Sequence, residues 1–327
     1  MFKVLLSEKI HQKGMDMLKE GAEVFIAENT KKETLVEAVK GMDAIIIRSS
    51  KLFNEIIDAG DSLKVIGRHG AGVDNIDVEY ATSKNLAVIN TPLANVNSVA
   101  EHVIALMMAL SKKVFAADKA MRDGTTSVEG KSLPALAQQL GLGGYELTGK
   151  TLGVIGYGKI GSLTAKKCIN GFDMKVLVYS PSSKGKVQLP EGAQWVETVD
   201  ELLKESDYVS INTPLNPSTQ NMIGEAQLKM MKKSAYLINC ARGGIVDEGA
   251  LYTALKEKWI TGAATDVFTV EPPPKDHPLF ELDNIILSPH SAAMTEEALQ
   301  RMATEVSEGV LKMLNGEEPY NLFNKKK

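Results

Sequence analysis

The chain has 327 residues, 44% of them hydrophobic and 24% charged, with a net charge of −4. This is the composition of a globular protein long enough to form two domains of ordinary size. It has no basic surplus for nucleic acid or an anionic membrane surface, and no apolar run long enough to span a bilayer.

The amino terminus, Met1-Phe2-Lys3-Val4-Leu5-Leu6-Ser7-Glu8-Lys9, becomes charged too early for a signal peptide, so a cytoplasmic location is expected. Short β-branched runs at Phe2–Leu6, Glu23–Ala27, Ala44–Arg48, Lys64–Gly67 and Ala87–Ile89 predict strands. Helical stretches such as Glu33–Lys40 and Phe53–Ala59 separate them, and this alternation predicts a parallel sheet with helices on both faces. A long amphipathic helix follows, from Val99 to Arg122, with Ser98 and Glu101 at capping-box spacing. Its apolar face, formed by Val99, Val103, Ile104, Leu106, Met107, Leu110 and Val114, suits a helix that crosses between domains or packs on another subunit. Residues Gly124–Gly149 read as a long excursion with one short helix near Pro134–Leu140.

The rhythm then resumes, with strands expected at Thr151–Gly156, Lys175–Tyr179, Tyr208–Ile211, Ala235–Asn239, Thr261–Val267 and Ile285–Leu287. Their near-continuous apolar character fits a sheet covered on both faces. A helix from Thr295 to Leu314 closes the pattern, ahead of the lysine run Lys325–Lys327. The two cysteines, Cys168 and Cys240, lack C-x-x-C spacing, so neither a disulfide framework nor a metal site is expected.

Within this pattern, Gly156-Tyr157-Gly158-Lys159-Ile160-Gly161 is a G-x-G-x-x-G fingerprint running from a strand into a helix. Gly156 permits the tight turn, Gly158 lets backbone approach a pyrophosphate, and Gly161 lets strand and helix pack closely. The next strand ends at Ser180, where an NAD site carries an acidic residue for the ribose hydroxyls. Without that carboxylate, the hydroxyls of Ser180, Ser182 and Ser183, with Lys184 or Lys186, suit the extra phosphate of NADP, so NADP is favoured over NAD.

Arg242, Glu271 and His290 each follow a predicted strand of the second half. Ligands of open α/β sheets bind beyond the carboxyl ends of the strands, which directs all three to one place. Arginine offers a planar fork for a carboxylate and a polarised carbonyl, while histidine moves protons near neutral pH. A neighbouring carboxylate orients a histidine ring and favours its charged form.

The segments Asn239-Cys240-Ala241-Arg242-Gly243-Gly244-Ile245-Val246-Asp247-Glu248, Asp266-Val267-Phe268 with Glu271-Pro272-Pro273, and Ser288-Pro289-His290 resemble the D-isomer-specific 2-hydroxyacid dehydrogenase family. So do Gly67-Arg68-His69-Gly70-Ala71-Gly72-Val73-Asp74-Asn75-Ile76-Asp77 and Asn90-Thr91-Pro92, so the likeness covers nearly the whole chain. The resemblance implies an α/β fold of two Rossmann-like or flavodoxin-like domains with parallel sheets. In that fold a nucleotide-binding domain, residues 99–290, is inserted into a substrate domain made of residues 1–98 and 291–327. It also implies a homodimer formed through the helix that starts near Val99.

In this family pattern Arg242 binds the substrate carboxylate and carbonyl, His290 is the acid–base, and Glu271 pairs with it. The backbone amides of Gly70, Ala71 and Gly72 take the substrate carboxylate. Lys159, Ile160, Thr213, Pro214, Cys240, Ala241, Asp266 and Ala292 occupy positions that line NAD or NADP, Asp266 toward the nicotinamide. The implied reaction passes a hydride between the nicotinamide and C2 of a 2-oxo or 2-hydroxy acid, with His290 exchanging the proton.

Arg48 and Arg68 stand in contexts that resemble D-3-phosphoglycerate dehydrogenases, in which the matching arginines face the substrate phosphate. His290-Ser291-Ala292-Ala293 lacks the glycine common after that histidine in those enzymes, Gly124–Gly149 is longer than usual for them, and no regulatory domain is expected after Leu314. Reduction of hydroxypyruvate or glyoxylate therefore competes with phosphoglycerate chemistry. An NAD(P)-sensing corepressor-like binding protein is the alternative from another class. His69 reads as structural, Cys168 as core packing, and His11, His102 and His277 fall in no pattern.

Overall fold

The computed structural model describes residues 1–325; Lys326 and Lys327 of the terminal lysine run lie outside them. The chain divides into two compact units, one formed by Met1–Ser98 with the segment from Ala293 onward, the other by Val99–Ala292. No helix among the described residues is long and apolar enough to cross a membrane.

The first unit holds five parallel strands, β1 (Phe2–Leu6), β2 (Ala22–Ile26), β3 (Ala44–Ile47), β4 (Val65–Arg68) and β5 (Ala87–Ile89), in the order β2-β1-β3-β4-β5. Successive side chains of a strand point to opposite faces, and here both faces are covered. Val4, Leu6 and Ile46 meet Ala303, Val306 and Val310 of the closing helix Glu296–Leu314. Leu5, Ile45, Ile47 and Ile66 pack on the other face against Leu35, Ile56 and Leu86. Thr295 caps that closing helix by accepting the Ala298 amide, and the acidic Glu296 and Glu297 suit its positive end.

The second unit is a seven-stranded parallel sheet: β6 (Thr151–Ile155), β7 (Lys175–Tyr179), β8 (Ala193–Trp195), β9 (Tyr208–Ile211), β10 (Tyr236–Asn239), β11 (Gly262–Thr265) and β12 (Ile285–Leu287). The order β12-β11-β10-β9-β6-β7-β8 reverses direction between β6 and β9, the doubly wound arrangement whose ligands bind at the reversal. The three-residue β8 was not anticipated; its sequence Ala-Gln-Trp has no apolar run, and it joins only the edge of the sheet, beside β7.

The single helix expected from Val99 to Arg122 is two helices, Val96–Ser111 and Val114–Arg122. Val99, Val103, Leu106, Met107 and Leu110 are buried, whereas Val114 is 50% exposed, so the apolar face ends with the first helix. At the break Lys113 takes a left-handed conformation with φ 52. The excursion satisfies a carbonyl of the helix end, the Tyr145 amide donating to Ser111 at 2.9 Å, and is tied to the break by the Lys113 ammonium, which donates to the Gly141 carbonyl at 2.6 Å. Because the first helix begins at Val96, Ser98 and Glu101 lie inside it rather than at its cap; Glu101 pairs with Lys167 at 2.7 Å. The short helix of the excursion runs from Leu133 to Gln139.

His69, just beyond β4, is 2% exposed. Burial, and then the charges of Arg48 and Arg68, hold its pKa down to about 4. The unfolded chain therefore binds this proton more readily than the fold, and stability is lost as pH falls from the ordinary histidine range toward 4. Between about pH 7 and about pH 5 the loss amounts to about 2 kcal/mol. His69→Leu removes it, so urea unfolding of wild type and variant at the two pH values should differ in acid sensitivity by roughly that amount; equal acid sensitivity would show that this ring does not titrate as described.

Candidate active site

In the first unit, the segment after β4 turns sharply at Gly70, whose φ is 147. The turn is braced from beneath by the Asn90-Thr91 segment. The Asn90 amide donates to the Ala71 carbonyl at 2.7 Å, and the Thr91 backbone donates to the Gly70 carbonyl at 3.0 Å. The Gly70 amide is engaged within the turn, donating to the Arg68 carbonyl at 2.9 Å, so of the three expected anion-binding amides it is already committed. The Arg68 guanidinium folds over the same turn, donating to the His69 carbonyl and to the Asn75 side chain at 3.1 Å. Arg48 lies against the Met294 sulfur at 2.9 Å.

In the second unit, the fingerprint follows β6. A Cβ on Gly156 would stand 2.5 Å from the Asn212 carbonyl oxygen, and one on Gly161 would stand 2.1 Å from the Gly156 carbonyl oxygen. Both positions therefore exclude any larger residue by contact with backbone. Gly158 differs, since nothing lies within 4 Å of where its Cβ would be. It is the exposed N-cap of the helix Lys159–Phe172 and has no side chain to cap the first amides of the helix, those of Lys159 and Ile160 among them. An open, positively polarised helix end beside a side-chain-free residue fits a dinucleotide pyrophosphate.

Ser180, just past β7, is 6% exposed and bonded to the Ser183 hydroxyl at 3.1 Å, which also donates to the Tyr157 carbonyl at 3.2 Å. These serines therefore sit beside the fingerprint. Lys184 is paired with Glu197. Thr213 and Pro214 follow β9 after Asn212, whose carbonyl confines Gly156. Cys240 and Ala241 follow β10; the Asn239 side chain ties this turn by accepting from the Ala241 amide at 3.1 Å and donating to the Arg242 carbonyl at 2.9 Å. Burial, then the charge of Asp266, pushes the Cys240 thiol well above its ordinary range, which marks it as a lining group rather than a nucleophile.

The strongest local network surrounds Asp266, which follows β11 and is fully buried. It accepts the Ser288 hydroxyl at 2.5 Å, the Ser291 amide at 2.8 Å and the Ala292 amide at 2.8 Å. Its own carbonyl accepts the His290 amide at 2.8 Å. Between these anchors His290 is left-handed, with φ 53. Its Nδ1 lies 2.7 Å from Oε2 of Glu271, and its side chain is 43% exposed. Glu271 in turn accepts the Phe268 amide at 3.0 Å. Burial pulls the Glu271 carboxyl upward. Hydrogen bonds from His290 and Phe268, with the charges of His290 and Arg242, outweigh it and hold the group below its usual range. Arg242 donates to the Ala241 carbonyl at 2.8 Å.

The structure thus brings Arg242, Glu271 and His290 into one electrostatic group at the carboxyl edge of the second sheet. Ser288 and His102 were missed as members of its surroundings: His102 Nε2 lies 3.2 Å from the Ser288 hydroxyl. Ser288 stood inside a motif already singled out, but no spacing rule links it to His102, 186 residues earlier. Elsewhere His277 pairs with Glu248, and His11 pairs with Glu296, both as local braces.

Residues 104–292 match the family model described as "D-isomer specific 2-hydroxyacid dehydrogenase, NAD binding domain". The chain is 42% identical over 325 residues to the D-3-phosphoglycerate dehydrogenase of Methanocaldococcus jannaschii, covering 99% of this chain but 60% of that protein. It is 36% identical over 326 residues to the glyoxylate reductase of Korarchaeum cryptofilum, covering 98% and 96% of the two chains. Among solved structures, the TT0316 protein of Thermus thermophilus superposes with a TM-score of 0.88 at 33% identity, covering 98% of this chain and 100% of that one. An acyclic imino acid reductase in complex with NADPH and D-Arg superposes with a TM-score of 0.85 at 30% identity, covering 98% and 100%. The chain belongs to the D-isomer-specific 2-hydroxyacid dehydrogenase family, oxidoreductases that act on a CH–OH group with a nicotinamide cofactor.

The two kinds of glycine in the fingerprint separate folding from binding. Gly161→Ala, which meets backbone, is expected to cost about 1–3 kcal/mol and lower the thermal midpoint. Gly158→Ala should leave the midpoint unchanged yet weaken binding of reduced dinucleotide at least about tenfold in a fluorescence titration. Unaltered binding by the Gly158 variant would place the pyrophosphate elsewhere.

Proposed function

We propose that this chain reduces a 2-oxo acid to the D-2-hydroxy acid, with 3-phosphohydroxypyruvate as the substrate, interconverted with 3-phosphoglycerate. The observation that carries the reaction is the His290–Glu271 contact of 2.7 Å, held at the carboxyl edge of the dinucleotide sheet within the field of Arg242. Bound NAD(P)H supplies the hydride that adds to C2 of the 2-oxo acid. As the carbonyl bond opens, negative charge develops on its oxygen, and Arg242 stabilises it while holding the substrate carboxylate. His290 delivers a proton to that oxygen from Nε2, because Nδ1 is engaged by Glu271. Glu271 stabilises the imidazolium and sets the ring's orientation. In the oxidative direction the neutral ring accepts the same proton.

The substrate carboxylate is assigned to the Ala71 and Gly72 amides and to Arg242. Arg48 and Arg68 are assigned to the phosphate of the substrate, and the 42% identity to a phosphoglycerate dehydrogenase supports this. Glyoxylate reduction is the second reading. It is favoured by the hydrogen bonds of Arg68 to its own turn and by the full-length match to a glyoxylate reductase. NADP is favoured over NAD because β7 is followed by Ser180, with no carboxylate at that position to repel a 2′-phosphate. Lys184 would exchange Glu197 for that phosphate.

One assay grid tests these assignments: NADH and NADPH against phosphohydroxypyruvate, hydroxypyruvate and glyoxylate. Phosphohydroxypyruvate with NADPH should give the highest kcat/KM; a strong NADH preference overturns the cofactor assignment, and a glyoxylate optimum overturns the substrate. Arg242→Ala and His290→Ala should each lose on the order of a thousandfold in rate with little change in thermal midpoint. Wild-type turnover by either removes its role.

The protein is also assigned as a homodimer. Phe115, Met121, Leu133 and Tyr145 are each more than half exposed, and all belong to the segment that contains the helices Val114–Arg122 and Leu133–Gln139. Four large apolar side chains left in water on one stretch of chain call for a covering surface. Light scattering should give twice the chain mass for wild type and the monomer mass for Phe115→Asp with Leu133→Asp; a monomeric wild type sinks the assignment.

A further inference from the structure

We propose that His102 is a positioning residue for the reaction, acting through Ser288 and Asp266 on the turn that carries His290. The inference rests on the reading of His290 as the acid–base. Asp266 is fully buried and uses both carboxylate oxygens: Oδ1 accepts the Ser291 amide and Oδ2 accepts the Ala292 amide, each at 2.8 Å. A carboxylate oxygen only accepts, so the single proton of the Ser288 hydroxyl points to Oδ1 across 2.5 Å. That leaves the Ser288 oxygen as an acceptor toward its other neighbour, His102 Nε2, at 3.2 Å. The direction of the chain is therefore determined: His102 Nε2–H donates to Ser288, and Ser288 donates to Asp266. The same Nε2 lies 3.8 Å from Oδ1 itself, which places its partial positive charge on the side of the buried anion.

The consequence falls on His290. Ser288 and Ser291 flank it, and its own amide donates to the Asp266 carbonyl at 2.8 Å. The left-handed backbone at φ 53 is held by these contacts. Loss of the His102 donor leaves the Ser288 hydroxyl, still donating to Asp266, without its second tether, and the turn gains freedom at the residue whose ring must reach the substrate oxygen. A small misplacement there lowers the rate without removing a contact to substrate or cofactor. His102 belongs to the helix Val96–Ser111 but not to its buried face, and its side chain is 25% exposed, so replacing it empties no core.

The test uses the full chain with reduced dinucleotide and either phosphohydroxypyruvate or glyoxylate, whichever turns over. His102→Leu keeps the bulk and removes the donor; kcat should fall about tenfold, with the dinucleotide KM and the thermal midpoint unchanged. His102→Gln places an N–H near the former Nε2 and should restore the rate, whereas His102→Asn, whose N–H falls short, should not. Ser288→Ala should reproduce the loss, and the double variant with His102→Leu should be no slower than Ser288→Ala alone. Full rate in His102→Leu, equal impairment of the Leu and Gln variants, or additive losses in the double variant would each overturn the proposal. His290→Gln separates the two readings: wild-type turnover there removes the acid–base role itself, while a crippled His290→Gln beside a full-rate His102→Leu removes only the positioning role.

Discussion

A carboxylate with no access to water must be met by donors, and Asp266 meets that demand with the chain segment that follows β12. Its oxygens gather Ser288, Ser291 and Ala292, and its carbonyl takes the His290 amide, so the backbone wraps around one buried anion. The wrapping forces His290 into a left-handed conformation and turns its ring toward Glu271. Glu271 is held from the opposite side by the Phe268 amide, only two residues beyond Asp266. The His290–Glu271 pair is therefore assembled from two loops that are both tied to the end of β11, and the left-handed turn is held by hydrogen bonds to a buried carboxylate.

The parallel sheet sets the larger frame. All seven strands of the second unit run the same way, so every loop that leaves a carboxyl end emerges on one edge. The fingerprint after β6 and the charged residues after β10, β11 and β12 share that edge by construction. A parallel sheet covered on both faces demands near-continuous apolar strands, and that is how Val154, Ile155, Leu237, Ile238, Ala263 and Ala264 are used. Chemistry is left to the loops, where polar backbone must be satisfied by turns and side chains rather than by the ladder.

Much of this was legible in the order of residues. Strands β1, β5, β7, β9 and β12 coincide with their predicted runs to the residue, because each gives way at once to a polar turn residue, Ser7, Asn90, Ser180, Asn212 or Ser288. The fingerprint was legible because Gly156 and Gly161 answer a steric demand that only glycine meets. The helix break at Lys113 was not, since the apolar spacing continues through Val114; at the break the Tyr145 amide returns from the excursion to take the Ser111 carbonyl of the last turn. β8 escaped notice because an edge strand of three residues needs no apolar signature. The committed amide of Gly70 and the folded-back Arg68 were equally invisible, for both depend on atoms a few residues away adopting one turn among many.

By itself the sequence determined the α/β class with its parallel strands, the dinucleotide fingerprint and the position of Arg242, Glu271 and His290 just beyond strand ends. Periodicity, glycine placement and strand-end position are local properties, written over a few residues at a time. Only the tertiary structure decided which buried donors answer Asp266, that His102 and Ser288 stand in a line with it, and that Lys184 is drawn to Glu197. Most of those contacts join residues far apart in the chain, and their geometry exists only once the loops of the second sheet have closed. Hydrogen bonds are directional and reach about 3 Å, so no spacing rule along the chain can specify them before the fold does.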